Sequence, residues 1–270
     1  MLSDITIGQF FPGKSLLHRM DPRVKLALTF AYIIVIFFPK NWVGLGVSVG
    51  FLLMCVLLSR IPIKLILKGF KPILPLLIFT TVINLFYAEG TVIFKLWILT
   101  VTWEGVFKAI FIALRILCLI AASSLLTYTT SPTTLTDALE RLMSPLRLIR
   151  VPVHEIAMMM TIALRFIPSL IEETDKIMSA QKARGADMES GNLLQRIRAL
   201  IPILVPLFVS SFRRAFDLAT AMECRCYHGG EGRTRMKQLR MRGSDFMAVG
   251  VMIVLTAVLI GSNYFMTAVI

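Results

Sequence analysis

The chain has 270 residues, 56% of them hydrophobic, yet carries a net charge of +13, with a mean hydropathy of +0.76 and a pI near 10.0. A soluble domain of this size does not need so much apolar surface, whereas a membrane protein with basic cytoplasmic loops shows both features together. A nucleic-acid binder shares the charge but not uninterrupted apolar runs of spanning length, so no nucleic-acid partner is expected. The four cysteines are scattered, with Cys55 and Cys118 inside apolar runs, and imply no disulfide framework. Asp4, Pro12 and Asp21 precede the first apolar run, a start that does not read as a signal peptide.

Asp21-Pro22 reads as a helix start, because the aspartate oxygen accepts from free first-turn amides and proline fits the first helical position. Arg23 and the apolar run Val24–Phe38 follow, broken at Pro39-Lys40-Asn41. A second run, Trp42–Ser59, contains Gly46-x-x-x-Gly50, a spacing that lets helix backbones approach closely. Arg60, Lys64, Lys68 and Lys71 crowd the next connection, and Pro72–Tyr87 forms an irregular third run. Residues 90–103 alternate apolar and threonine positions, which suits a short strand or hairpin at the outer interface with Trp97 and Trp103. A fourth run covers Gly105–Leu126 and a fifth Phe246–Ala268.

Basic residues set the expected orientation. Segments 1–25, 60–71 and 129–245 hold four, four and seventeen Lys/Arg, while the intervening connections hold only Lys40 and Lys95. Placing the rich segments in the cytoplasm gives about five spans, N-terminus inside and C-terminus outside the cell membrane. The organisation is then membrane helices over 1–128, cytoplasmic helices over 129–245 and a last membrane helix over 246–270. Arg115 falls in the middle of the fourth span, where an arginine faces the bundle or snorkels. It has either a pairing or functional role or a structural one satisfied by carbonyls, and Asn84 is the only polar candidate in the third span. The run Arg233, Arg235, Lys237, Arg240, Arg242 suits anionic lipid headgroups.

Between the fourth and fifth runs lie three amphipathic patterns. Ser131-Pro132 opens the first, and Ser144-Pro145 stops it. The second starts at Pro152 and repeats apolar residues through Met159, Met160, Phe166 and Leu170 for about six turns. The third runs through Leu204, Phe208 and Phe212, bent early by Pro202 and Pro206. Its middle is apolar nearly all round, as in a helix covered by a partner or lying in a membrane interface. The methionines suit a surface that repacks against different apolar partners, although an ordinary two-helix core uses methionine too. Each of the two long patterns ends in an arginine between small residues: Ala183-Arg184-Gly185 and Cys224-Arg225-Cys226. A cation is favoured there by the helix dipole alone. A matched pair of unobstructed guanidinium groups also suits bidentate bonds to carboxylates in two similar partner subunits.

At these residues the chain resembles the transmembrane (T) component of energy-coupling factor transporters, prokaryotic vitamin and metal importers powered by ATP-binding-cassette subunits. The similarity rests on His18-Arg19-Met20-Asp21-Pro22-Arg23-Val24-Lys25, Thr130-Ser131-Pro132, Leu164-Arg165-Phe166-Ile167-Pro168, residues Ala180 to Asp187, and Met222-Glu223-Cys224-Arg225-Cys226-Tyr227. It covers essentially the whole chain. The resemblance implies an all-α polytopic membrane protein with three cytoplasmic coupling helices after the fourth span. It implies that Arg184 and Arg225 each insert into one of two ATP-binding-cassette nucleotide-binding subunits. It also implies a separate substrate-binding membrane (S) subunit that carries the specificity, so this chain is a non-enzymatic energy-coupling scaffold without a cofactor. Cys224 and Cys226 depart from the alanine and glycine usual in the second motif.

Rival readings are weaker. A type I ABC permease with its own substrate path is the main alternative, since Gly191 followed by Ile201-Pro202 is faintly similar to a permease loop. Such a permease needs more polar groups within its spans. A membrane enzyme lacks a His-Glu-x-x-His pair, an intramembrane aspartate pair or a nucleophile beside a base. His18, His154 and His228 are scattered. Cys224, Cys226 and His228 suggest no metal site, because helical residues two apart point apart and three ligands fall short of structural zinc.

Overall fold

Capping residues and prolines set most of the element boundaries. The computed structural model describes residues 10–87, 91–96, 99–186, 192–230 and 239–265. A short helix α1 (Leu16–Arg19) precedes α2 (Pro22–Val35), α3 (Trp42–Ser59), α4 (Ile63–Phe70) and α5 (Leu74–Tyr87). Strands β1 (Val92–Leu96) and β2 (Leu99–Thr102) form an antiparallel hairpin. There follow α6 (Trp103–Thr129), α7 (Pro132–Leu142), α8 (Val153–Ala183), α9 (Leu193–Glu223) and α10 (Gly243–Phe265). The architecture is that of an all-α polytopic membrane protein, with one small hairpin where the alternating pattern places it. Trp97 lies outside the described residues.

Among the described residues six helical stretches are long and apolar enough to cross a membrane: α3, Ile63–Phe86, α6, α8, Ile197–Glu223 and α10. The set differs from the expectation at both ends. Helix α2 has 14 residues, about 21 Å at 1.5 Å per residue, against roughly 30 Å of hydrocarbon. Helices α8 and α9, expected on the cytoplasmic side, pass on length and composition and are the least apolar of the six. The third run also begins earlier than Pro72. A 3-10 turn over Lys71–Ile73 joins α4 to α5 and absorbs Pro72 at a position that needs no donor.

The chain divides into two compact units: residues 139–237, which hold α8 and α9, and residues 8–138 with 238–270. In the second unit the core gathers Tyr32 of α2 and its C-cap Ile36, Leu52 and Val56 of α3, Cys118 and Ala122 of α6, and Leu255 and Leu259 of α10. Two buried polar side chains in this unit are paired to backbone. Tyr32 donates its hydroxyl to the Ser48 carbonyl at 3.1 Å, and Lys25 Nζ donates to the Thr129 carbonyl at 2.9 Å. Among the described residues there is no close approach at Gly46 or Gly50, since a Cβ at either would meet nothing within 4 Å. It occurs instead at Gly44, where a Cβ would lie 2.8–2.9 Å from Asn41, Pro39 and Ser262.

The Asp21-Pro22-Arg23 motif organises the start of this unit. Asp21 accepts from the Arg23 amide at 2.9 Å, while the Arg23 guanidinium grips both carboxylate oxygens at 3.0 and 2.7 Å. That fork holds the Asp21 carboxyl below the usual carboxylate range. The buried Asp245 at the start of α10 accepts from the Asp21 amide at 3.1 Å and the Arg242 amide at 2.7 Å. Asp21 and Asp245 thereby tie the first turns of α2 and α10 together. Ser131 caps α7 as its sequence suggests, accepting from the Thr134 amide at 3.4 Å ahead of Pro132.

Candidate functional site

Helices α8 and α9 lie antiparallel. Gln181 Nε2 donates to the Pro202 carbonyl at 3.5 Å. In the middle of both helices Arg214 donates to the Ser169 hydroxyl at 2.8 Å and forms an ion pair with Glu173. Beyond the helix ends Gly230 packs against His154. This register puts Arg225 level with Met159–Met160, at the opposite end of the pair from Arg184. At 1.5 Å per residue the two arginines are separated by about 35–40 Å along the helices.

The two helix ends are built alike. At the end of α8 the Gly185 amide donates to the Lys182 carbonyl and the Ala186 amide to that of Gln181. At the end of α9 the Cys226 amide donates to Glu223 and the Tyr227 amide to Met222. Both are Schellman caps, in which a left-handed residue turns the chain so that orphan carbonyls are satisfied. Gly185 has φ +84 and Cys226 has φ +55. Cysteine therefore adopts the turn that glycine makes freely, and the departure at Cys226 leaves the geometry intact. Arg184 and Arg225 each stand immediately before the left-handed residue. Ala183, Arg184, Gly185, Cys224, Arg225 and Cys226 are all exposed.

Between the caps runs an apolar surface. Leu204, Phe208 and Phe212 are 47%, 61% and 73% exposed, and the last two rings stack 6.5 Å apart. Met159 and Met160 are exposed, while Phe166 and Leu170 are half-buried. Phe216 is as exposed as Phe212 and extends the same i, i+4 row. Phe216 is a candidate functional-surface residue absent from the sequence expectation, although its spacing four residues after Phe212 signals it.

Other sites singled out in the sequence take structural positions. Among the described residues Arg115 pairs with no acid: its guanidinium donates to the Pro39 carbonyl at 2.8 Å and lies 4.9 Å from the Phe111 ring centroid. His18 bonds Ser15 and the Phe11 carbonyl, His154 bonds Glu140, and His228 is exposed. No group of three metal-ligating side chains occurs among the described residues. Arg233, Arg235 and Lys237 lie outside the described residues, as does Gly191; Arg240 and Arg242 are exposed.

Six helical stretches long and apolar enough to cross a membrane, with two exposed arginine caps on the α8–α9 pair, define the class as a polytopic helical membrane protein. The profile of the cobalt transport protein family, CbiQ, matches residues 13–236. The chain is 55% identical over 254 residues to the energy-coupling factor transporter transmembrane protein EcfT of Ruminiclostridium cellulolyticum, covering 94% of this chain and 95% of that one. It is 52% identical over 260 residues to the protein so named in Brevibacillus brevis, and 45% identical over 260 residues to that of Bacillus subtilis; each match covers 96% of this chain and 98% of the relative. The chain belongs to this family, the transmembrane components of energy-coupling factor transporters.

Proposed function

We propose that this chain couples two ATP-binding-cassette nucleotide-binding subunits to a separate substrate-binding membrane subunit of a vitamin or micronutrient importer. The observation that carries the reading is the pair of equivalent caps. Each presents an exposed arginine just before a left-handed residue, at opposite ends of an antiparallel helix pair. Two like tips so far apart suit two like sockets, one in each nucleotide-binding subunit. A guanidinium in such a socket makes a bidentate bond with a carboxylate.

Closing of the ATPases on ATP then displaces the tips and, through α8 and α9, the apolar row from Leu204 to Phe216. That row, with Met159, Met160, Phe166 and Leu170, grips the substrate-binding subunit and tilts or releases it. Substrate specificity resides in that subunit. The distribution of Lys and Arg supports an arrangement with α7, α8 and α9 on the cytoplasmic side, the N-terminus inside and the C-terminus outside. In that arrangement the apolar length of α8 and α9 serves a partner's surface and the membrane interface.

Breaking a buried arginine–carboxylate bond on one side costs about 3–5 kcal/mol. Arg184→Ala and Arg225→Ala are each expected to weaken capture of the nucleotide-binding subunits and reduce uptake severely, and the double variant to abolish both. Uptake at the wild-type rate by the double variant would overturn the reading.

A further inference from the structure

The stretch after Arg225 is anchored where the sequence shows nothing unusual. His154, in the first turn of α8, bonds through Nδ1 to Oε1 of Glu140 in the last turn of α7 at 3.1 Å. Its Nε2 is buried with no hydrogen-bond partner among the described residues. With Nδ1–H donating to the carboxylate, Nε2 is left as a lone pair, the cheaper atom to bury. Gly230 closes over this ring. A Cβ there would stand 2.4 Å from Cδ2, 2.8 Å from Cγ and 3.2 Å from Cβ of His154. Rotation about the Cβ–Cγ bond swings Cδ2 away but leaves Cγ and Cβ in place, so the 2.8 Å contact with Cγ remains. Only a change at χ1, which breaks the bond to Glu140, or a shift of the chain around Gly230 makes room.

We propose that His154 is a positioning residue: locked by Glu140 and covered by Gly230, it fastens the Arg225 turn to the start of α8. Helix α8, 31 residues long, then carries Arg184 at one end and the fastening of Arg225 near the other. It acts as a strut that sets the spacing of the two arginine tips. The inference rests on the two-socket reading above for its purpose, but not for its test.

The test measures tip spacing in the full-length chain without any ATPase. Cys55 and Cys118 are changed to Ala and Cys226 to Gly, leaving Cys224 for one spin label, and Ala183→Cys takes the other. The expected distance distribution is single and narrow, centred at about 35–40 Å from the helical rise. Gly230→Ala and His154→Ala should each broaden or displace it by several ångströms. Their combination should do no more than His154→Ala alone, and Glu140→Gln, which keeps an acceptor, should preserve more of the wild-type shape than Glu140→Ala. Variant distributions that superimpose on the parent overturn the strut. A parent distribution already broad does so even where a variant fails to fold. Loss of ATPase capture by Arg225→Ala while Gly230→Ala leaves the spacing untouched would uphold the sockets and sink the strut. Unchanged capture by Arg225→Ala sinks the sockets alone.

Discussion

The Arg214–Glu173 pair is the sharpest measure of how α8 and α9 are held. Truncating one partner of a fully buried pair costs about 3–5 kcal/mol, and an exposed pair is worth about 0–1 kcal/mol. Here the side chains are 35% and 21% exposed, so Glu173→Ala or Arg214→Ala should each cost roughly 1.5–2.5 kcal/mol, between those limits. Part of the Arg214 loss belongs to its bond with Ser169, about 0.5–1.5 kcal/mol. The coupling in a double-mutant cycle should therefore be about 1–2 kcal/mol, smaller than either single loss. Amide hydrogen exchange reads it locally: a 1.4 kcal/mol loss is about a tenfold rise in the opening equilibrium. The rise should appear around 166–177 of α8 and 208–218 of α9, with α6 and α10 unchanged. The exchanged pair, Glu173→Arg with Arg214→Glu, should recover much of the protection. A cycle energy near zero, or faster exchange spread evenly over α6 and α10, would refute the register assigned to the two helices.

Further outcomes follow from the caps, the α2–α10 junction and the close approach at Gly44. Gly185→Ala places a side chain at φ +84, should cost about 1–2 kcal/mol, and should speed exchange of the Ala186 amide. Cys226→Gly should slow exchange of the Tyr227 amide, because glycine adopts φ +55 without strain. Asp245→Ala leaves the buried Asp21 amide and the part-buried Arg242 amide without their acceptor and should lower Tm by the loss of about 1–3 kcal/mol for the first and less for the second, Asp245→Asn less, since one oxygen remains. Because Arg23 depresses the Asp21 carboxyl in the folded chain, its stabilisation is complete above the ordinary carboxylate pKa. It should fade as pH falls through the lower folded value, and Asp21→Asn should flatten that acid limb of the stability curve. Gly44→Ala, meeting atoms at 2.8–2.9 Å, should destabilise by about 1–3 kcal/mol in thermal unfolding. Gly46→Ala and Gly50→Ala should stay within about 0.5 kcal/mol of the parent.

The sequence by itself determined that the protein is apolar, helical and membrane-bound, where most helices begin, and that two long helices end in matched arginines. Those properties are local: a cap oxygen, a proline at N1 and an apolar period act over a few residues. The hairpin, too, was legible in its alternation. Tertiary packing decided what depends on residues far apart in the chain. Gly44, unlike Gly46 or Gly50, is crowded from two sides, by Asn41 and Pro39 just before it in the chain and by Ser262 of α10 across from it. Asp245 serves the amide of Asp21, 224 residues away, and Arg115 found a carbonyl instead of an acid. Glu173 and Arg214 read as ordinary surface charges until the antiparallel register brought them together. Cys226 showed that a left-handed cap survives without glycine, because the two backbone hydrogen bonds of the turn offset the strain at one residue. The separation of the arginine tips belongs to the same class: sequence supplies the two ends, and only the pairing of α8 with α9 sets the distance between them.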